Sequence, residues 1–179
     1  MDRPEFNPGI GNKPTVPPGS SKTYVFTINP LVSNQLSMGS ARLEIPAAAI
    51  CKVTTSGYGA TNTNGWNAPC APETGSITIT AAVTGTSSMP RVDFSPALRF
   101  NPAVGPVELY MFVKRATSAD AQRFKILYCA TLANSCIDEA VSDPSLATYY
   151  NTHDNEVFRR IKHFSGYLVA ENSDEQQQE

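Results

Sequence analysis

The sequence predicts an all-β fold, an antiparallel β-sandwich of about nine short strands with little helix. Three observations predict it. Apolar, aromatic and β-branched residues recur with a period of two along most of the chain. The segments that carry this period are short and are separated by clusters of Gly, Pro, Asn and Ser, the pattern of an antiparallel sheet with one buried face per strand. Only Ala116 to Gln122 favours helix, and it is long enough for one or two turns. With 179 residues, 41% of them hydrophobic, the chain has enough apolar material for one sizeable core and is short for two ordinary domains.

Taken in order, residues 1 to 21 hold Pro4, Pro8, Pro14, Pro17 and Pro18 with Gly9, Gly11 and Gly19, a composition that disfavours helix and predicts an extended arm. The strand pattern starts at Lys22, where Tyr24, Phe26 and Ile28 alternate with Val25 and Thr27. It returns at Leu43 and Ile45, at Ile77, Ile79 and Ala81, at Val92 and Phe94, at Leu98 and Phe100, and at Val107, Leu109, Met111 and Val113. It continues at Phe124, Ile126 and Tyr128, at Val157 and Ile161, and at Tyr167 and Val169. Pro46, Pro90, Pro96, Pro102 and Pro106 all fall at strand ends, where no ladder donor is lost. From Glu171 to Glu179 the chain is acidic and glutamine-rich with no apolar residue, the composition of a disordered tail. Residues 22–170 are therefore expected to form a single domain between an arm and a tail.

Charge narrows the function. Fourteen Lys and Arg against sixteen Asp and Glu leave no basic surplus, so nucleic acid is not an expected partner. Apolar runs are broken within about eight residues, well short of the roughly 20 that cross a bilayer, so no transmembrane helix is expected. The four cysteines stand as two close pairs, Cys51 with Cys70 and Cys129 with Cys136, each flanking a polar segment. Three pairings are formally possible; the local one asks only that each loop fold back on itself, and closing the longer loop contributes roughly 3 kcal/mol. Zinc fails on spacing, since there is no Cys-x-x-Cys knuckle and neither His153 nor His163 stands in a paired ligand pattern. Disulfides place the chain in an oxidising compartment, extracellular or at the cell surface. Met1-Asp2-Arg3-Pro4 leads into no apolar run, so the expectation is a leader already removed.

Three short motifs carry a resemblance. Leu43-Glu44-Ile45-Pro46-Ala47-Ala48-Ala49-Ile50, then Leu98-Arg99-Phe100-Asn101-Pro102 ahead of Val107-Glu108-Leu109-Tyr110, then His163-Phe164-Ser165-Gly166-Tyr167, make residues 35–170 resemble a ZU5-like domain of bacterial secreted or lipid-anchored surface proteins. Ala48 departs from the pattern, standing where that family usually has glycine, and the loop from Cys51 to Cys70 is an insertion. The resemblance implies a β-sandwich that mediates protein contacts, without a cofactor. Self-cleaving eukaryotic relatives are cut between the Phe and the Ser of such a motif. Carried over, Ser165 would attack the carbonyl of Phe164 with His163 or His153 as base. The competing reading of the same residues is packing, with Phe164 in the core and Ser165 in a turn.

Little else suggests chemistry: no nucleophile elbow, phosphate loop or metal-ligand cluster is present. Asp138, Glu139 and Asp143 form an acidic knot whose spacing is not that of an EF-hand, and a solvated loop is expected. Arg159, Arg160 and Lys162 form a basic run expected at the surface. Tyr58, Trp66, Tyr149 and Tyr150 are interaction candidates, since loop aromatics of a sandwich can stack on carbohydrate or anchor a protein. The expectation is a non-enzymatic, surface or extracellular module whose partner is a protein, foremost other copies of itself. An extended arm that adds to the sheet edge of a neighbour is the specific form, and a filament or surface assembly its product.

Overall fold

The computed structural model describes residues 21–52, 65–85, 90–113, 124–129, 136–151 and 155–171. Residues 1–20 of the arm, Tyr58, the helix-prone stretch 116–122, His153 and residues 172–179 of the acidic tail lie outside these residues, whereas Glu171, expected as the start of the tail, ends the last strand opposite Phe124. The described chain forms two antiparallel sheets. The strands are β1 (Lys22–Ile28), β2 (Asn34–Met38), β3 (Ala41–Ile45), β4 (Ile77–Gly85), β5 (Pro90–Ser95) and β6 (Val107–Phe112). They continue with β7 (Phe124–Cys129), β8 (Cys136–Ile137), β9 (Tyr149–Asn151), β10 (Glu156–Ile161) and β11 (Gly166–Glu171). One sheet runs β1-β4-β5-β11-β7-β8 and the other β2-β3-β6-β10-β9. The all-β sandwich expected from the period of two is the architecture found.

Alternation decides which side chains meet. Along β4, Ile77, Ile79, Ala81 and Val83 turn inward while Thr78, Thr80, Ala82 and Thr84 do not. Facing them across the sandwich are Leu43 and Ile45 of β3, Leu109 and Met111 of β6 and Val157 of β10, all essentially without solvent contact. Burial of this kind contributes about 1.5–3 kcal/mol per large side chain. Gly39, at φ 62°, takes the left-handed position needed by the two-residue hairpin that pairs Met38 with Ala41.

Two details differ from expectation. Eleven strands are present among the described residues. β2, β8 and β9 have no counterpart in the sequence pattern because β2 is mostly polar and the other two are only 2 and 3 residues long. Leu98 to Phe100, expected as a strand, makes only single bridges, Arg99 to His163 and Ile50 to Phe100. Prolines 96 and 102 bracket it and leave no room for a longer ladder.

The chain changes sheet between β10 and β11 through residues 162–165, the His-Phe-Ser segment. A connection lying between two sheets must have its main chain hydrogen-bonded by its neighbours. Here the amide of Phe164 donates to the carbonyl of Leu98 (2.8 Å), the amide of Phe100 to that of Lys162 (3.0 Å) and the amide of Phe94 to that of Ser165 (3.0 Å). The neighbouring segment is held in turn, Cys51 donating to Arg99 (2.9 Å) and Asn101 to Ala49 (2.8 Å). All three motifs behind the resemblance thus lie side by side in one backbone-bonded seam.

Candidate functional site

His163 occupies the middle of this seam and has no solvent contact. Its Nε2 donates to Oε2 of Glu139 at 3.0 Å. The other oxygen of Glu139 accepts from Nη2 of Arg159 at 2.6 Å. Arg159 is also fully buried, and donates from Nη1 to the carbonyl of Ile126 (3.1 Å) and from Nε to that of Arg160 (2.9 Å). Strand alternation explains its position: on β10 it shares the inward face with Val157 and Ile161. The expectation that the whole basic run is solvated is therefore corrected for Arg159, while Arg160 is exposed.

The acidic knot meets the basic residues instead of standing in solvent. Glu139 is carried inward by a short 3-10 turn, Glu139–Val141, capped by the Asp138 carboxylate accepting from the Ala140 amide at 3.0 Å. Asp138 pairs with Lys125 at 3.0 Å, and Asp143 with Lys162. Burial alone pushes the Glu139 carboxyl up; the hydrogen bond and charge of His163 and the charge of Arg159 outweigh it and hold the group below its ordinary range. Asp143 follows the same balance, with burial opposed by hydrogen bonds from Lys162 and Ser145, and is also lowered. No group of three or more His, Cys, Asp or Glu side chains fit to hold a metal ion occurs among the described residues.

Aromatic rings enclose the imidazole. Trp66 stacks on it with centroids 3.9 Å apart, and Tyr128 meets it edge-on at 4.6 Å. The hydroxyl of Tyr167 donates to the His163 carbonyl. Trp66 is half-buried on a 3-10 turn, Gly65–Asn67, inside the loop closed by the Cys51–Cys70 disulfide. Glu139 follows directly on the Cys129–Cys136 disulfide. Both bridges have the local pairing expected; the Cys51–Cys70 bridge closes the loop that carries Trp66, and the Cys129–Cys136 bridge lies three residues before Glu139. Arg99 and Lys162 tie the first loop down further, donating to the carbonyl of Ala68 and the side chain of Asn67.

Phe164 is packed in the core, stacked on Phe94 at 4.6 Å and edge-on to Phe100 at 5.1 Å. The Ser165 hydroxyl donates to the carbonyl of Cys129 at 2.8 Å. In this geometry the hydroxyl hydrogen goes to a main-chain acceptor and the His163 Nε2 goes to a carboxylate. The remaining aromatic candidates lie elsewhere. Tyr149 stacks on Phe158 at 5.9 Å, Phe158 on Tyr110 at 5.1 Å, and the Arg42 guanidinium lies 4.2 Å from the Tyr110 centroid. These four residues form one cross-strand row over β9, β10, β6 and β3, on the sheet face away from the core. Tyr150, on the alternate side of β9, remains 38% exposed. The row was not foreseen; its signal, an aromatic at the out-of-phase positions Tyr110 of β6 and Phe158 of β10, is visible once register is known.

No family model matches the chain, and neither does any curated protein. Among the described residues no helix is long and apolar enough to cross a membrane.

Proposed function

We propose that this chain is a non-enzymatic, ZU5-like β-sandwich that acts outside the cytosol as a structural or protein-interaction module, assembling with copies of itself through its N-terminal arm. The observation that carries the reading is the exposed apolar surface directly after the arm, with Val25 at 64%, Leu31 at 46% and Val32 at 50% exposure. Two disulfides support an oxidising setting, extracellular or cell-surface. The seam formed by the three motif segments supports ZU5-like character. So does Ala48, whose φ of 61° is the left-handed conformation that suits glycine at that place. Against self-cleavage at Phe164-Ser165 stands the engagement of Ser165 with Cys129 and of His163 with Glu139.

Sedimentation velocity of the whole chain, beside a variant lacking residues 1–20, tests the assembly. The whole chain should associate, and the shortened one should associate more weakly. A monodisperse monomer at every concentration overturns the proposal. Denaturing mass spectrometry tests the non-enzymatic part: a fragment beginning at Ser165 and lost in Ser165→Ala assigns autoproteolysis instead.

A further inference from the structure

The two sheets offer four edges: β1 and β8 in one, β2 and β9 in the other. β8 has 2 residues, β9 has 3, and β2 has 5 that are mostly polar. β1 has 7, Lys-Thr-Tyr-Val-Phe-Thr-Ile, and pairs with β4 at every position without a bulge. Among the described residues no strand lies against its other edge. Soluble proteins usually blunt such an edge with proline, charge or a bulge. From Thr23 to Ile28 this one carries none of the three.

The strand is also nearly self-complementary. Val25 is its central residue, flanked symmetrically by Tyr24 and Phe26 and then by Thr23 and Thr27. Resting on the self-assembly reading above, we infer that β1 pairs antiparallel with β1 of a second copy about a two-fold axis at Val25, joining two six-stranded sheets into one. An isologous contact demands such a palindromic register. It sets Thr23 opposite Thr27, Tyr24 opposite Phe26, and Val25 opposite itself. Thr–Thr and aromatic pairs are among the favourable cross-strand combinations, and the only charge, Lys22, faces Ile28 and not another cation. On the outer face Thr23, Val25 and Thr27 are all exposed, so the central valine pair removes the most exposed apolar side chain of the strand from water.

Two substitutions in the full-length protein test this. Val25→Lys sets two ammonium groups opposite each other, and at a site this exposed the sandwich itself should remain, as checked by Trp66 fluorescence. Its dimer dissociation constant, from sedimentation equilibrium, should rise roughly tenfold or more. Val25→Cys should yield a disulfide-linked dimer on mild oxidation, with peptide mapping placing the cross-link at position 25 of both copies, because directly opposed residues have Cα atoms within disulfide reach. Association unchanged by Val25→Lys, with no such cross-link, overturns edge pairing while leaving self-assembly by another surface standing. A wild-type protein that stays monomeric overturns both.

Discussion

Removing the Glu139 carboxylate should be among the most destabilising single changes in the molecule. Arg159 and His163 are both without solvent contact, and Glu139 receives a hydrogen bond from each, at 2.6 and 3.0 Å. In Glu139→Ala the guanidinium keeps its bonds to the carbonyls of Ile126 and Arg160 but loses its only described anionic neighbour within ion-pair distance. Breaking a buried pair by deleting one partner costs about 3–5 kcal/mol, because the remaining charge stays desolvated. Glu139→Gln keeps an oxygen that can accept from Arg159 and loses only the charge, so about 1.5–3 kcal/mol is expected. Trp66, the single tryptophan, stacks on His163 and provides the readout. Urea titration followed by its fluorescence should show both losses as a lowered midpoint at constant slope. A loss below about 1 kcal/mol in Glu139→Ala refutes the claim that this carboxylate neutralises a buried cation.

Three further outcomes follow from the same structure. Ala48→Gly should stabilise the protein by about 0.5–1 kcal/mol, since the left-handed backbone at φ 61° strains a Cβ by more than the entropy glycine adds to the unfolded chain; a lower melting temperature in calorimetry contradicts this. Gly166→Ala should cost about 1–3 kcal/mol, because a Cβ there falls 2.4 Å from Oδ1 of Asp93 and 2.9 Å from Nη2 of Arg91, two groups locked together by a bidentate pair. Asp93→Ala should recover part of that loss, and chemical denaturation of the double variant checks it. Stability should also fall in acid: Glu139 and Asp143 are lowered from ordinary values of 4.5 and 3.8, so their contribution is complete above those values and disappears as pH drops through the lowered native ones. Urea midpoints measured down to about pH 3 should drop less steeply in Glu139→Gln than in the wild type.

Strands were legible where one face is buried. β4 shows why: four inward apolar residues alternate with four that do not face the core, and no other element gives that pattern. β8 and β9 were not legible because two or three residues carry no period. The His163 site was legible only in pieces. The acidic knot and the basic run both stand out in the chain, but Glu139 on its 3-10 turn meets Arg159 of β10 and His163 of the crossover, 20 and 24 residues away, which local pattern cannot show. One signal was available. Arg159 falls on the inward phase between Val157 and Ile161, and an arginine at a core-facing strand position requires a buried anion.

A cation, a carboxylate and an imidazole in the middle of a sandwich oppose stability relative to apolar residues of the same volume. Their location accounts for the arrangement. The crossover from β10 to β11 runs between the sheets, and just before it Arg159 links them, donating from β10 to the carbonyl of Ile126 on β7 of the other sheet and to that of Arg160 beside the crossover. Once the guanidinium is inside, Glu139 is required, and Glu139 reaches the core only because β8 is held beside β7. The Cys129–Cys136 bridge holds it there, across one of the two residue pairs of the β7–β8 ladder. Trp66 is likewise brought over His163 by a loop closed at Cys51–Cys70. Each closure restricts the unfolded chain by about 2.5–3.5 kcal/mol, a magnitude comparable to the desolvation it offsets. Formation of the disulfides and closure of the polar core are therefore coupled, so the oxidising setting inferred from four cysteines is also the setting in which this interior is stable.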